Sequence, residues 1–218
     1  MKIKLIGCAS TKNEVAWLGV CQAADCCFLD YSYHANPAKL KQKLQEIINE
    51  SQDYDLIILT FSRCANSLVG LKSERVPMIF PNTHDCFGLM LGSNEKHQKV
   101  FRENVGTYYF SQGWLDYGRT PLAEYFEYKE KYGEAKARKL IFTLYDRYHK
   151  AMLVITPGMQ DIEDYRQRVR EIAEFFDWEI DEIEGDISLL EAVLKRQERT
   201  GVVYVEPGVE VQPDLFSS

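Results

Sequence analysis

The sequence lacks the runs and motifs that mark several large classes of protein. Its longest apolar runs, such as KLIFTLY and AMLVIT, fall far short of the roughly 20 residues that a membrane-spanning helix needs. It contains no P-loop, no G-x-G-x-x-G fingerprint and no nucleophile elbow. These absences argue against an integral membrane protein, the common nucleotide sites and the α/β-hydrolase type of catalysis.

An excess of basic charge is also absent. The chain has 26 basic and 33 acidic residues, so its net charge is −7, and an acidic surface repels phosphate backbones. The segment MKIKLIGCAS is typical of a strand. It is not expected to act as a secretory signal, because its apolar part is shorter than a secretory core and no small-residue cleavage site follows it. We therefore expect a cytoplasmic protein with neither nucleic acid nor membrane as a partner.

Apolar runs alternate with helical patterns along the 218 residues. IKLIG (3–7), YDLIILT (54–60) and AMLVIT (151–156) have the length and composition of strands. PAKLKQKLQEIINES (37–51) and DIEDYRQRVREIAEFF (161–176) place apolar residues at helical spacing. The alternation predicts an α/β protein with parallel, Rossmann-like sheets. We expect a first lobe over residues 1–115 and a second lobe over residues 116–218, packed together because no flexible linker separates them.

The six cysteines fall into two groups. With no secretory signal, a disulfide framework is not expected, so we interpret Cys21, Cys26 and Cys27 as small buried hydrophobic residues. The remaining three follow strands: Cys8 after the first, Cys64 after the third and Cys86 after the fourth.

Two histidines also follow predicted strands. His34 comes after the second predicted strand, and His84 precedes Cys86 after the fourth. Ligands of open parallel sheets bind at the carboxyl ends of the strands, and thiolate and imidazole are ligands of zinc and of iron–sulfur clusters. The sequence therefore predicts a metal site at the carboxyl edge of the first sheet, formed by Cys8, Cys64 and Cys86 with His84 or His34.

The segment from His84 to Cys86 has a second interpretation. No C-x-x-C pair supports a local metal motif, and Asp85 is also suited to the first turn of a helix. Tyr108 and Trp114 likewise have two interpretations, since aromatic residues either stack on a flat ligand such as a corrin or an adenine, or belong to the core.

Cys8 and the stretches YHANPAKL, FSRCANSLVGL, FPNTHDCFGLMLGS and GTYYFSQGW resemble the motifs of a prokaryotic family, domain-of-unknown-function family 1638. The similarity covers nearly the whole chain, and His-Asp-Cys followed by Leu-Gly-Ser is a specific combination. Members occur among corrinoid and methylamine methyltransferase genes of anaerobes. The resemblance therefore implies a corrinoid as cofactor or a corrinoid methyltransferase as partner. It also adds Arg63 and Asn66 to Tyr108 and Trp114 as candidate cofactor-binding residues.

Several positions depart from the motifs of that family. Ala9, Ala65 and Ser67 stand where the family pattern has glycine, and Asn82 stands where it has arginine. A side chain in place of glycine leaves less room for a ligand to approach the backbone. The loss of the arginine removes a group that binds carboxylate or phosphate, and Arg63 would have to replace it. The resemblance therefore implies a divergent member with a different substrate.

Three hypotheses about function follow from the sequence. The first is a zinc or iron–sulfur protein that acts on a small-molecule substrate in methyl or corrinoid metabolism. The second is a non-catalytic accessory protein that binds a corrinoid or a methyltransferase. The third is a metal-free thiol enzyme with Cys86 as nucleophile and His84 or His34 as base.

Overall fold

The computed structural model describes residues 1–63 and 66–216, and its first sheet has five strands. Their spatial order is β2-β1-β3-β4-β8. The four strands from the N-terminal half are parallel, and β8 joins β4 antiparallel. The bounds are Ile3–Cys8 (β1), Asp25–Leu29 (β2), Leu56–Leu59 (β3), Met78–Pro81 (β4) and Val202–Val205 (β8).

A second sheet of three parallel strands has the order β5-β6-β7, with β5 Thr107–Phe110, β6 Lys150–Ile155 and β7 Glu179–Glu184. The two largely parallel sheets confirm the predicted α/β, Rossmann-like fold class. The division of the chain into lobes at residue 115 stays a prediction. Two strands lie across that division, since β5 belongs to the second sheet and β8 returns to the first.

Helices connect the strands and cover the sheets. Their bounds are Lys12–Trp17 (α1), Pro37–Glu50 (α2), Cys86–Met90 (α3), Asn94–Glu103 (α4), Gln112–Tyr117 (α5), Pro121–Tyr132 (α6), Glu134–Leu144 (α7), Ile162–Phe176 (α8) and Ser188–Leu194 (α9). Short 3₁₀ turns occupy Ala9–Thr11, Val20–Gln22, Tyr31–Ala35 and Pro213–Phe216. Among the helices of the described ranges, none combines the length and the apolar character needed to cross a bilayer.

Local sequence explains why α2 forms where it does. The Asn36 side chain accepts a hydrogen bond from the Lys39 N–H and so caps the helix, and Pro37 stands at the first turn, where its missing N–H does no harm. Leu40, Leu44 and the pair Ile47–Ile48 recur at helical spacing and are buried against the first sheet. The result is a fixed wall beside the end of β2.

The carboxyl edges of the two sheets meet. The turn Ala9–Thr11, after β1, packs against α5, after β5. A Cβ atom added at Gly113 of α5 would lie 2.1 Å from the carbonyl oxygen of Ser10, so only glycine permits this approach of the two backbones. A buried hydrogen bond of 2.9 Å from Thr156 Oγ1, after β6, to Glu14 Oε1 of α1 also joins the edges.

The prediction for two of the cysteines was wrong. Cys21 and Cys26 form a disulfide, and Cys21 is exposed rather than packed in a core. The turn between α1 and β2 brings their Cα atoms to 5.6 Å, within the range that a disulfide requires. Cys27, the next residue on β2, is half-buried and packs against the core of the first sheet, as expected.

Candidate functional site

Cys8 and His34 come together at the carboxyl edge of the first sheet. Cys8 is the last residue of β1, and His34 lies in the 3₁₀ turn that follows the neighbouring strand β2. The Cys8 Sγ atom is 3.1 Å from His34 Nε2, and Cys8 is only 3% exposed. The pairing follows from topology, because the carboxyl ends of adjacent parallel strands, and the residues that follow them, lie at the same edge of the sheet.

A hydrogen-bonded chain sets the protonation of this pair. The buried Ser10 hydroxyl donates to Cys8 Sγ at 3.0 Å. Cys8 Sγ and His34 Nε2 share the next hydrogen bond, and when the thiol is its donor, the imidazole is the neutral tautomer with its proton on Nδ1. Burial raises the pKa of the Cys8 thiol, against the lowering effect of the Ser10 hydrogen bonds. Burial lowers the pKa of His34. Both groups are therefore uncharged near neutral pH.

His34 also forms part of the wall of a cavity of about 290 Å³, called here the His34 cavity. The Tyr31 ring stacks on the imidazole with centroids 4.3 Å apart, and Trp114 meets Tyr31 edge-on at 4.2 Å. Two aromatic contacts in series hold the imidazole ring in one orientation. The cavity lies between the sheets, with walls from Tyr31, His34, Pro37, Leu40, Asp85, Cys86, Phe87 and Trp114.

A second cavity of about 200 Å³ lies beside the first and is called the Thr107 cavity. The two share Asp85, Phe87 and Trp114 as lining residues. The further walls of the second cavity come from β5, α4 and the segment before β6: Phe101, Thr107, Tyr108, Tyr109 and Tyr148. Together the cavities form an aromatic cleft with one carboxylate, Asp85, at the junction.

Asp85 has the capping role that the sequence allowed. Its Oδ1 accepts hydrogen bonds from the N–H groups of Phe87 and Gly88 and so begins α3. His97 Nε2 lies 3.4 Å from the same oxygen, without the alignment of a hydrogen bond. His84 is exposed, and its Nδ1 lies 3.7 Å from Asp85 Oδ2. The cap leaves the preceding His84 on the outside of the turn.

His97 is a site residue that the sequence analysis missed. It is 5% exposed, on the buried face of α4, and burial lowers its pKa while Asp85 raises it and His84 lowers it further. The available signal was its helical spacing to Val100, which is also buried on α4. A polar residue on an apolar helix face commonly has a polar neighbour, here the half-buried Asp85.

The metal-binding function was wrong. Within residues 1–63 and 66–216, no group of three His, Cys, Asp or Glu side chains is placed to hold a metal ion. Cys8 pairs with His34 and Ser10, while His84 is exposed beside Asp85. A disulfide, which offers no thiolates, joins Cys21 to Cys26. Cys64, a predicted ligand, and Ala65, a predicted departure, lie outside the described residues.

The other predicted residues divide into two groups. Cys86 lines the His34 cavity, Tyr108 lines the Thr107 cavity, and Trp114 lines both. Arg63 Nε donates to Asn66 Oδ1 at 2.6 Å, so these two side chains bind each other. The lining residues named for the two cavities include neither of them. Their role in binding a cofactor stays a prediction.

Comparison with known proteins agrees with the resemblance in the motifs. A family model described as "Protein of unknown function (DUF1638)" matches residues 28–194. The match includes His34, Asp85 and Trp114, whereas Cys8 precedes it. No curated protein and no solved structure matches the chain. The match spans more than half of the 218 residues, and the chain belongs to the DUF1638 family.

Proposed function

We propose that the protein binds a small organic molecule in the cleft between its two sheets, and that His34 exchanges a proton with this molecule. One observation carries the proposal: His34 lines the cavity and is at the same time held by Cys8 at 3.1 Å. An imidazole buried only for packing needs no thiol partner on one side and no open cavity on the other.

The surroundings of His34 suit acid–base chemistry. When the Cys8 S–H donates a hydrogen bond to Nε2, the neutral imidazole carries its own proton on Nδ1, so one ring nitrogen accepts a hydrogen bond and the other has a proton to donate. Tyr31 fixes the ring plane by stacking. Cys8 and Ser10 act as positioning residues behind the imidazole, because both are buried and neither is among the residues lining the cavity.

The size of the cleft favours a compact ligand. Its larger cavity, about 290 Å³, is at the lower limit of small-molecule sites, which span roughly 300–1,000 Å³. This size supports a substrate smaller than a corrinoid. The corrinoid cofactor and the methyltransferase partner both stay predictions, and a corrinoid can be included in the same experiment.

Ligand-observed NMR with a library of small organic fragments tests the proposal. We expect fragments to bind the full chain, to lose binding in Trp114→Ala, and to keep it in Trp17→Ala. Trp17 is a matched control because it is 58% exposed and lines a different cavity. Cyanocobalamin is a separate ligand in the same series.

The role of His34 needs its own measurement. We expect a bound fragment to shift the imidazole resonances of His34 and to change their pH titration, while those of the exposed His149 stay constant. His34→Gln should alter the pH dependence of binding, and His149→Gln should leave it unchanged. The proposal is overturned if the fragments bind Trp114→Ala as well as they bind the unchanged chain, or if bound fragments leave the His34 titration unchanged. Binding of cyanocobalamin without any binding of small fragments replaces it with the corrinoid prediction.

A further inference from the structure

We infer that the Cys21–Cys26 disulfide is a thiol-exchange site, opened by a dithiol reductant, and that its opening frees the end of α1 that carries Trp17. The disulfide involves none of the residues that line the cleft of the proposed function, so the inference is independent of that proposal. It makes one wall of a further cavity sensitive to reduction.

The two cysteines of the disulfide differ in their access to solvent. Cys21 is exposed in the 3₁₀ turn Val20–Gln22. Cys26 is half-buried on β2 and packs against a cluster of buried apolar residues that includes Leu5. A thiolate therefore attacks Cys21 Sγ first, since exchange depends on which sulfur can be approached. Exposed disulfides are also the ones that are reduced most readily.

The exchange is balanced with a dithiol as the co-reactant. One thiolate of the dithiol attacks Cys21 Sγ, the S–S bond breaks, and Cys26 leaves as a thiolate that takes up a proton. The second thiol of the dithiol loses its proton, attacks the mixed disulfide and releases Cys21, which is protonated in turn. The protein disulfide is thus reduced to two thiols, and the dithiol is oxidised to its own disulfide.

The segment 18–24, called here the disulfide segment, is weakly held apart from this bond. None of its seven residues is buried. The N–H groups of residues 22–24 donate to the carbonyl oxygens of Gly19 and Val20, so these hydrogen bonds close within the segment. Leu18 and Val20 pack only partly against the first sheet. The segment gains conformational freedom once the disulfide ring is opened.

This freedom extends into α1, because α1 is short. The helix has six residues, and so few residues do not form a stable helix without tertiary contacts. Its middle is fixed by the buried Val15 and by the hydrogen bond between Glu14 and Thr156. Its last residue, Trp17, is 58% exposed and is followed directly by the disulfide segment. The end of α1 therefore depends on the disulfide more than its middle does.

The end of α1 forms part of the wall of a cavity of about 560 Å³, to which Trp17 and Leu18 both contribute. Pro157, which follows β6, and Glu184, the last residue of β7, line the same cavity. The indole lies against Gly158, where an added Cβ atom would be 2.3 Å from Trp17 Cδ2. When the end of α1 is freed, Trp17 loses its fixed position over Gly158, and this wall of the cavity loosens.

A two-step thiol label on the folded chain tests the first half of the inference. Thiols that are already free are blocked with N-ethylmaleimide, and the excess reagent is removed. Dithiothreitol is then added, and the thiols that it releases are labelled with iodoacetamide and mapped by mass spectrometry. We expect label at Cys21 and Cys26 while the circular dichroism stays that of the folded protein.

The dependence on urea shows which state is reduced. The rate of labelling should not change with urea below the unfolding transition, because the exposed sulfur needs no unfolding to react. A rate that rises in parallel with the unfolded fraction overturns the inference, as does the absence of label at Cys21 and Cys26.

Hydrogen–deuterium exchange and fluorescence test the second half. On reduction, the amides of the disulfide segment should exchange about tenfold faster or more, since the ring no longer restricts their opening. The amides of α8 should exchange as before. Iodide should quench the fluorescence of the reduced chain more strongly than that of the oxidised chain, and Trp17→Phe should remove this difference.

The neighbouring cysteine supplies the matched control. The double variant Cys21→Ser, Cys26→Ser cannot form the bond, so it should match the reduced wild type with or without dithiothreitol. Cys27→Ser should behave like the oxidised wild type, because Cys27 packs on the opposite face of β2 from Cys26.

Two results overturn the link between the disulfide and α1. One is a reduced wild type whose amide exchange and quenching equal those of the oxidised chain, a comparison that does not depend on the folding of any variant. The other is a Cys27→Ser variant that no longer responds to dithiothreitol.

Discussion

The carboxyl edges of the two sheets carry different chemistry although similar strand–helix units form them. At the first edge, Cys8 and His34 pair, and His34 keeps one side open to a cavity. At the second edge, Ser111 caps α5 by accepting from the Trp114 N–H, and Asp186 accepts from the Ser188 N–H. A polar residue at a strand end thus becomes a candidate site only where local hydrogen bonds leave part of it available.

The second edge supports the first. Thr156 follows β6 and donates to Glu14 of α1, and Gly113 of α5 touches the backbone of Ser10 beside Cys8. Both contacts fix the position of the segment that follows β1. The difference between the edges is one of role: the first provides the Cys8–His34 pair, whereas the second provides aromatic walls of the cleft and also holds the segment after β1 in place.

The largest effect is expected from Gly113→Ala. Its new Cβ would lie 2.1 Å from the Ser10 carbonyl oxygen, so the edges must separate, at a cost of about 3 kcal/mol in the free energy of unfolding. Urea denaturation measures this loss of stability. The contact between Cys8 and His34 should be disturbed as well, because Ser10 bonds to Cys8.

Gly19→Ala is the control for that change. Gly19 has no atom closer than 3.9 Å to its Cβ position and lies in the left-handed helical region with a φ of +68°, so alanine there costs only about 1 kcal/mol of backbone strain. Equal costs at the two positions would show that the edges are not in close contact.

Glu14→Gln should have a smaller effect, in the stabilising direction. Burial raises the pKa of Glu14 above its ordinary value of 4.5, against its backbone hydrogen bond and that of Thr156, and Oε2 has no partner among the described residues. The folded protein therefore binds this proton more tightly than the unfolded chain. The favourable contribution is complete below about pH 4.5 and is lost as the pH rises through the folded pKa.

The glutamine variant should accordingly gain about 1 kcal/mol at neutral pH and nothing near pH 4. Denaturant unfolding at both pH values measures the gain, with the exposed Glu184→Gln as a control for net charge. A gain that is the same at both pH values contradicts the buried-charge explanation.

The smallest effects compare one serine from each edge. Ser10→Ala removes the donor to Cys8 Sγ, and Ser111→Ala removes the cap of α5, so each should cost about 1 kcal/mol. Only Ser10→Ala should raise the pKa of Cys8 further and slow its alkylation by iodoacetamide. If both variants change alkylation equally, the edges do not differ as described.

The sequence predicts Cys8 and His34 as ligands of one metal site, and the structure brings these two side chains together as a hydrogen-bonded pair instead, because β1 and β2 are neighbouring parallel strands that end at the same edge. The sequence does not place His84 correctly, because Asp85 takes the cap and holds His84 outside the turn. The contributions of His97 and Thr107 depend on how α4 and β5 pack, which residue spacing along the chain does not specify. The Cys21–Cys26 bond likewise depends on a turn of irregular backbone.

The place of β8 has a consequence for the order in which the molecule is assembled. The first sheet takes its last strand from residues 202–205, after the whole of the second sheet at 107–184 has been synthesised. During translation the second sheet has all its strands while β4 still has an unpaired edge. That edge, with the apolar residues Met78, Ile79 and Phe80, is open to wrong pairing in a nascent chain until β8 covers it.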